Sequence, residues 1–339
     1  MRFLKHIIIC ILMATCYVHA CAQDGSNAYT FLNIPISSRI YGLGGVNISL
    51  VDNDVTTIDQ NPALLGGEMS GQIAMGYMRY VGESNFAGIR YAHAAGERAA
   101  WSAAIQYFGY GDIIEADEAG TQIGKFSPKD AVFMGAYSHD ITDRLRGGIN
   151  IKAAYSTYAE YSAFALATDL GINYFNPESD FSASIVVSNL GGQVKKFNET
   201  YDRLPIDIRL GFSKVFTGFP IRLSVTAWNL TKWSLPYYEY GDGTMATELK
   251  KKDSFSSNLF RHLVFGADFV SSPNWYLGVG YNYKQRTDMQ TYQRNMLSGF
   301  SLSGGIRVSD FSIGLAFAQR YTGASTFMFN ITADLSSIL

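Results

Sequence analysis

Cysteine is scarce and confined to one end of the chain. Cys10, Cys16 and Cys21 are its only three, so everything after residue 21 lacks the thiols for a disulfide framework or a thiolate metal site. Charge of one sign is also lacking. A formal net charge of -2 excludes a nucleic-acid binder that relies on a broad basic field, and it implies no polyanion partner. Long apolar runs are missing as well. A membrane-spanning helix needs roughly 20 consecutive apolar residues, and no stretch comes near that length. With only 8 prolines the chain carries 33 glycines, 22 tyrosines and 22 phenylalanines, and its mean hydropathy is close to zero. A membrane barrel that is apolar outside and polar inside has such a mean.

The first residues read as a secretory signal. Arg2, Lys5 and His6 form a basic start, and Ile7 to Val18 form an apolar run too short to span a bilayer. Ala20-Cys21-Ala22 before Gln23 gives a small-x-small cleavage pattern, so residues 1–22 are the expected signal peptide and Gln23 the expected new terminus. A lipobox at Val18-His19-Ala20-Cys21, with lipid on Cys21, is the competing reading, although His19 fits its second position poorly.

Period-two alternation dominates the rest, and such alternation places successive side chains on opposite faces of a strand. Ile206, Ile208, Leu210 and Phe212 oppose Asp207, Arg209, Gly211 and Ser213. After Thr217-Gly218-Phe219-Pro220, Ile221, Leu223, Val225 and Ala227 repeat the pattern, which reads as a hairpin. Similar runs recur around Trp275–Asn282, Phe300–Arg307, Phe311–Ala318 and Phe327–Asp334. Counting from Gln72 gives about fourteen strands of roughly ten residues, the length a tilted strand needs to cross a bilayer. The expected fold is therefore an all-β transmembrane antiparallel barrel over residues 71–339.

Link lengths support this count. Tight links fall at Ala95 to Ala99, His139 to Arg144, Asn176 to Asp180, Thr217 to Pro220, Ser271 to Asn274 and Ser309 to Asp310. Longer ones alternate with them at Tyr110 to Asp130, Gly191 to Pro205, Thr231 to Leu259 and Lys284 to Ser298. Links near Val81 to Ser84 and Tyr158 to Ser162 fit less clearly. Outer-membrane barrels keep short turns periplasmic and long loops outside, which would put both termini in the periplasm. Trp101, Tyr107, Tyr174, Phe181, Trp275, Tyr283 and Phe311 collect near strand ends, as interfacial girdles require. A soluble β-sandwich also alternates, yet this many strands would need a very large internal core.

Residues 23–70 have no sustained strand pattern and are rich in Gly, Asn, Asp and Ser. A barrel of this strand number encloses space that such a segment could plug as a hatch. Positions expected to face inward carry both signs: Arg90, Lys152, Asp169, Asp207, Arg209, Arg222, Asp268, Arg307 and Asp334. Buried charges persist when paired or wetted, so a mixed ion-pair network supporting barrel and plug is expected before any selectivity filter.

Chemical motifs are weak. Gly42-Leu43-Gly44-Gly45 lacks the Lys-Ser/Thr pair of a phosphate loop and reads as a turn. Asp52-Asn53-Asp54 begins like a calcium loop, but Thr56 and Thr57 follow in place of the ligand and glycine. His93, His139 and His262 have no partner at metal spacing, and no G-x-S-x-G nucleophile motif occurs; no cofactor or enzymatic activity is expected, and a barrel protease or lipase whose residues converge from separate strands ranks last among the readings. Two candidate partner-binding loops stand out. One holds Ile113, Ile114 and Glu115 in an acidic run; the other holds Tyr237, Tyr238 and Tyr240 ahead of Lys250 and Lys251. A solvated loop is the default for each, although aromatics amid mixed charge also suit protein-binding surfaces.

The N-terminal segment carries a resemblance. Ser38-Arg39-Ile40-Tyr41-Gly42-Leu43-Gly44-Gly45-Val46, then Asp52-Asn53-Asp54-Val55, then Asn61-Pro62-Ala63-Leu64-Leu65 resemble the hatch of long-chain fatty-acid transporter-like barrels. Gly42, Gly44, Gly45, Asp52, Asp54, Asn61, Pro62 and Ala63 are the matching positions. Within that superfamily the chain looks like the PorV and PorQ group of the Bacteroidetes type IX secretion system, with a compact length closer to PorQ-like members. The resemblance implies a noncatalytic subunit of the surface attachment complex, anchoring PorZ-like components beside PorU and PorV. Fatty-acid-transporter-like passage of a hydrophobic molecule is the alternative it implies. One departure is the ending Ser336-Ser337-Ile338-Leu339, where many barrels end in an aromatic.

Overall fold

Strands that hide one face and show the other must find either a second layer or closure, and here they close. The computed structural model describes residues 28–117, 119–216, 218–240, 249–272, 274–288, 297–321 and 324–336. The expected signal peptide, its cleavage and lipidation signals, all three cysteines and the last three residues lie outside these. The strands in chain order are β1 (Gln72–Arg79), β2 (Asn85–Ala94), β3 (Ala99–Gly109), β4 (Ile113–Ala116), β5 (Gln122–Phe126) and β6 (Lys129–Thr142). There follow β7 (Leu145–Tyr158), β8 (Tyr161–Asn176), β9 (Phe181–Lys195), β10 (Asp207–Phe216), β11 (Phe219–Ala227) and β12 (Tyr237–Tyr240). The last are β13 (Leu249–Lys252), β14 (Leu263–Ser272), β15 (Trp275–Asn282), β16 (Phe300–Val308), β17 (Phe311–Tyr321) and β18 (Ala324–Asp334).

Fourteen of them form one closed barrel, as the alternation predicts, while β4–β5 and β12–β13 are separate two-stranded sheets. The barrel shuts where β1 pairs antiparallel with β18, from Gln72 opposite Asp334 to Arg79 opposite Phe327. With no free edge every strand satisfies its backbone within the ladder, which is what lipid demands.

The pleat sorts side chains as the sequence indicates. On β10, Ile208 and Phe212 are exposed while Asp207, Arg209, Gly211 and Ser213 are buried. Around the ring Met75, Ile105, Phe133, Ile151, Ile185, Leu277, Leu302 and Leu315 stand 47% to 60% exposed. A contiguous apolar belt on that scale has no place on a water-soluble surface, and it removes the β-sandwich alternative. Trp101, Tyr107, Tyr174, Trp275 and Phe311 lie exposed near strand ends. Tyr283 does not belong with them: it sits in a loop helix against Phe260 and Tyr237, away from the belt. Arg307 is another correction. Its register is inward, but it lies near the end of β16, exposed, with its Nε donating to Ser312 at 3.0 Å.

Short links 95–98, 143–144, 177–180, 217–218, 273–274 and 309–310 share one rim with the start of β1 and the end of β18. The other rim carries 110–128, 196–206, 228–262 and 283–299, with 80–84 and 159–160 as short links among them, while 322–323 lies outside the described residues. Among their described residues, two of these long links hold regular structure rather than solvated coil. The first contains the β4–β5 hairpin, and the third contains β12–β13 and the helix Phe255–Arg261, whose N-cap Ser254 accepts from Ser257 N. Strand β9 runs on to Lys195, taking Gly191 to Lys195 out of the predicted link. Within it Asn189 adopts φ 56°, and its pairing with β8 shifts register between Thr168 and Leu170, a bulge that turns Asn189 toward the interior.

Residues 29–70 thread the lumen. They contribute short helical turns at Thr30–Asn33, Ser38–Gly42, Val55–Asp59, Pro62–Leu64 and Gly67–Met69. The described chain starts at the long-loop rim, where Tyr29, Phe31 and Leu32 pack with Met78, Phe86, Phe108 and Val132. It descends to the short-turn rim, where Val55, Ile58, Leu65 and Met69 pack with Ala74, Ala92, Ala100 and Ala136.

Candidate functional site

The motif residues of the N-terminal segment are held by inward side chains of the wall. Gly42 closes a helix whose N-cap is Ser37; Gly44 and Gly45 then take φ 95° and 84°, conformations that favour glycine. The Ser301 hydroxyl donates to the Gly42 carbonyl at 2.9 Å and accepts from Gly44 N at 3.0 Å, while Asn282 donates to the Gly44 carbonyl at 3.1 Å. That approach needs Gly280, because a Cβ there would run into Gly44 N and the Leu43 backbone. Asn61 caps the Pro62–Leu64 turn, accepting from Ala63 N at 2.9 Å and donating to the Ile48 carbonyl at 2.8 Å. Glycines 148 and 171 on β7 and β8 leave the room that Pro62, Ala63 and Asn61 fill.

Asp54 caps the Val55–Asp59 turn through Thr56 N at 2.9 Å. Asp52 pairs with Arg39, whose Nε also reaches Asp268 at 3.3 Å and whose guanidinium lies 4.2 Å over the Tyr276 ring. Burial works to raise the Asp52 carboxyl, but Arg39, together with Arg222, Arg307 and the Asn53 backbone N–H, outweighs it and holds that group below the usual carboxylate range. Burial raises the Asp54 carboxyl. The eight motif positions thus do not converge on one site. Gly42, Gly44 and Gly45 dock on β15 and β16, Asn61 to Ala63 dock on β7 and β8, and Asp52 and Asp54 lie toward the short-turn end.

Between these contacts runs a polar seam that the alternation only half reveals. The fully buried Arg90 pairs with Asp59 and donates to Ser102 at 2.8 Å, and Gln106 also donates to Asp59 at 2.9 Å. Across the lumen Arg209 bonds Asp207 at 2.8 Å, Gln60 at 3.2 Å and Asn33 at 2.7 Å. Lys152 pairs with Asp169 at 2.7 Å and donates to Asn189 at 3.0 Å, and Asn189 in turn donates to Asn33 at 2.9 Å. Each charge of the seam thus has a counter-charge at hand, which offsets the cost of burying it. The wall members follow from register. Their N-terminal partners Asn33, Asp59 and Gln60 sit in a stretch without periodicity and carry no comparable signal.

The two candidate loops differ in character. Ile113, Ile114 and Glu115 are exposed on β4, opposite Phe126, Lys125 and Gly124 of β5. Tyr238 is exposed, but Tyr237 is buried: its hydroxyl lies 3.1 Å from that of Tyr283, and the Arg261 guanidinium lies 5.0 Å over its ring. Lys250 pairs in register with Glu239 and Tyr240 with Leu249; the Lys251 ammonium lies 3.3 Å from Asp253. His262 sets its ring nitrogens 2.8 and 3.0 Å from the carbonyl oxygens of Trp228 and Trp233, a structural role. Among the described residues no group of three or more His, Cys, Asp or Glu is placed to hold a metal ion.

Sequence reasoning missed a pocket of about 380 Å³ at the long-loop end of the lumen. Tyr29 and Phe31 of the N-terminal segment, Tyr110, Tyr158 and Phe197 line it together with Asp130 and Ser156. The Tyr110 hydroxyl donates to Asp130 Oδ2 at 2.6 Å. Burial first, and then that hydrogen bond, pushes the Tyr110 phenol above its ordinary value, so it stays a neutral donor. Asp130 and Ser156 had a readable signal, as polar residues at inward positions of β6 and β7, in register with Val132 and Met134 and with Lys152 and Ala154.

No protein-family model and no curated protein matches the sequence. Solved structures do match in shape. A FadL homologue of Pseudomonas aeruginosa shares 11% identity over 88% of this chain and 98% of its own, with a TM-score of 0.52. The Pseudomonas putida toluene transporter TodX shares 10% over 88% and 98%, with a TM-score of 0.53. CymD, a monoaromatic hydrocarbon channel, shares 13% over 91% and 99%, with a TM-score of 0.50. At these identities the likeness is one of fold: a closed, fourteen-stranded, FadL-like outer-membrane barrel.

Proposed function

We propose that this chain is a noncatalytic outer-membrane barrel, closed by residues 23–70 acting as a hatch, that anchors surface components of a type IX secretion attachment complex. PorZ-like proteins would dock on the long-loop rim beside PorU- and PorV-like partners, with outer-membrane lipid around the belt, the long loops outside and the short turns periplasmic. The observation that carries this reading is the filled lumen. Pairings such as Asp59 with Arg90 and Asn33 with Arg209 tie the N-terminal segment to opposite walls, which suits a rigid platform better than an open pore. Ile113 and Ile114 on β4 and Tyr238 on β12 offer exposed apolar surface on that platform. The test is a pull-down from detergent-solubilised outer membranes followed by mass spectrometry. Co-recovery of PorZ-, PorU- or PorV-like proteins is expected; recovery of no secretion component overturns the anchor.

A second reading is passage of a hydrophobic molecule. The aromatic pocket favours it, as do fold neighbours described as a toluene transporter and a monoaromatic hydrocarbon channel. Gene deletion separates the two, since an anchor loses PorZ-like material from the cell surface whereas a transporter loses uptake.

A further inference from the structure

Five aspartates are buried among the described residues: Asp59, Asp130, Asp169, Asp207 and Asp268. Four have a cation at hand. Asp59 pairs with Arg90, Asp169 with Lys152, Asp207 with Arg209, and Asp268 with Arg39 and Arg222. Asp130 is the exception. It is 1% exposed, its Oδ2 accepts from the Tyr110 hydroxyl at 2.6 Å, its other polar neighbours are the neutral hydroxyls of Ser156 and Tyr158, and its Oδ1 makes no hydrogen bond of normal geometry and meets no cation. The Ser156 hydroxyl, also 1% exposed, makes no hydrogen bond of normal geometry either. A carboxylate taken out of water without compensation costs several kcal/mol, so this one calls for a donor or a positive charge.

Its surroundings say what kind. Asp130 and Ser156 line the 380 Å³ pocket, and the other walls are rings. Tyr110 and Tyr158 have ring centroids 5.7 Å apart, Tyr158 and Phe197 are edge-to-face at 5.1 Å, and Tyr29 closes the side formed by the N-terminal segment. Aromatic faces carry negative potential and attract cations, most strongly where water is excluded. An acid among rings is complementary to an ammonium head on an apolar body, and the volume lies in the range of small-molecule sites. A purely hydrocarbon ligand would leave Asp130 Oδ1 and Ser156 Oγ as they are.

We infer that this pocket is a binding site for a small organic ammonium ion, with the head between Asp130 and Ser156 and the apolar body against Tyr110, Tyr158 and Phe197. The site is independent of which proteins dock on the loops. Calorimetric titration of the detergent-solubilised full chain with phenethylammonium and with its neutral isostere phenethyl alcohol tests it. The ammonium should saturate a single site and bind at least about tenfold more tightly than the alcohol, the scale expected of a desolvated charge and cation–π contact. Asp130→Asn should erase that preference while leaving the alcohol unchanged, and Phe197→Ala should weaken both. Equal binding of the two probes, no binding of either, or an ammonium affinity unchanged in the Asp130→Asn chain overturns the inference. Should Asp130→Asn fail to give the folded, heat-modifiable band, the wild-type probe pair together with Phe197→Ala still decides it.

Discussion

Arg90 shows how single residues hold this molecule together. Its guanidinium is wholly enclosed, and Asp59, from the threaded segment, is its counter-charge. Removing one member of a buried pair strands the other, at a cost of about 3–5 kcal/mol. Asp59→Ala should therefore lower the urea midpoint for loss of the heat-modifiable band, whereas Glu68→Ala, at the exposed pair with Arg146, should scarcely move it. Equal effects would show that the seam does not bear on stability. The sequence made half of this pair readable. Arg90 lies at an inward register position on a strand, and an inward charge demands a partner. Asp59 lies where no period assigns a direction to its side chain, so the partner could not be named. Arg307 shows the converse, since register assigned it inward and its place near a strand end let it turn to solvent.

At the scale of elements, barrel strands were legible and loop strands were not. A barrel strand alternates because one face meets lipid and the other meets the lumen. Strand β4, all four of whose residues are exposed, has no buried face and so leaves no period to detect. Strands β12 and β13 are four residues each, too short for a pattern to repeat. The β12–β13 hairpin makes its own prediction. Tyr237 packs inward on Arg261 and Tyr283, and Tyr238 faces out. Tyr238→Ser should reduce partner recovery without altering loop proteolysis, because the substituted ring touches solvent. Tyr237→Ser should instead speed limited proteolysis between β11 and β14, because it removes a ring from the packing under the hairpin. If Tyr238→Ser leaves recovery unchanged, this hairpin is not a docking surface. The pocket escaped sequence reading for a related reason: its lining comes from the N-terminal segment and from the ends of several strands, and no linear spacing links Tyr29, Tyr110, Asp130, Tyr158 and Phe197.

For the molecule as a whole, two solvents shape one sheet. The belt from Met75 round to Leu315 faces outward on strands whose alternate residues bind the threaded segment, so every barrel strand reads oil on one side and a polar interior on the other. A cation placed in that belt should be costly in proportion to its depth. Ile151→Arg, on the outward face of β7, should destabilise the lipid-refolded protein by about 2–4 kcal/mol, read from the denaturant midpoint in vesicles. A negligible change would place Ile151 outside the hydrocarbon. Strand number, closure and rim asymmetry were open to sequence reasoning because they follow from period and link length alone. The filling of the lumen was only suggested, because it depends on side chains meeting across the barrel.

That filling is the central claim, and single-channel conductance in a planar bilayer tests it most directly. The intact chain should remain closed, and a chain lacking residues 29–70 but still giving the folded, heat-modifiable band should conduct. Steady conductance by the intact chain, or the same closed trace from both, would contradict the account.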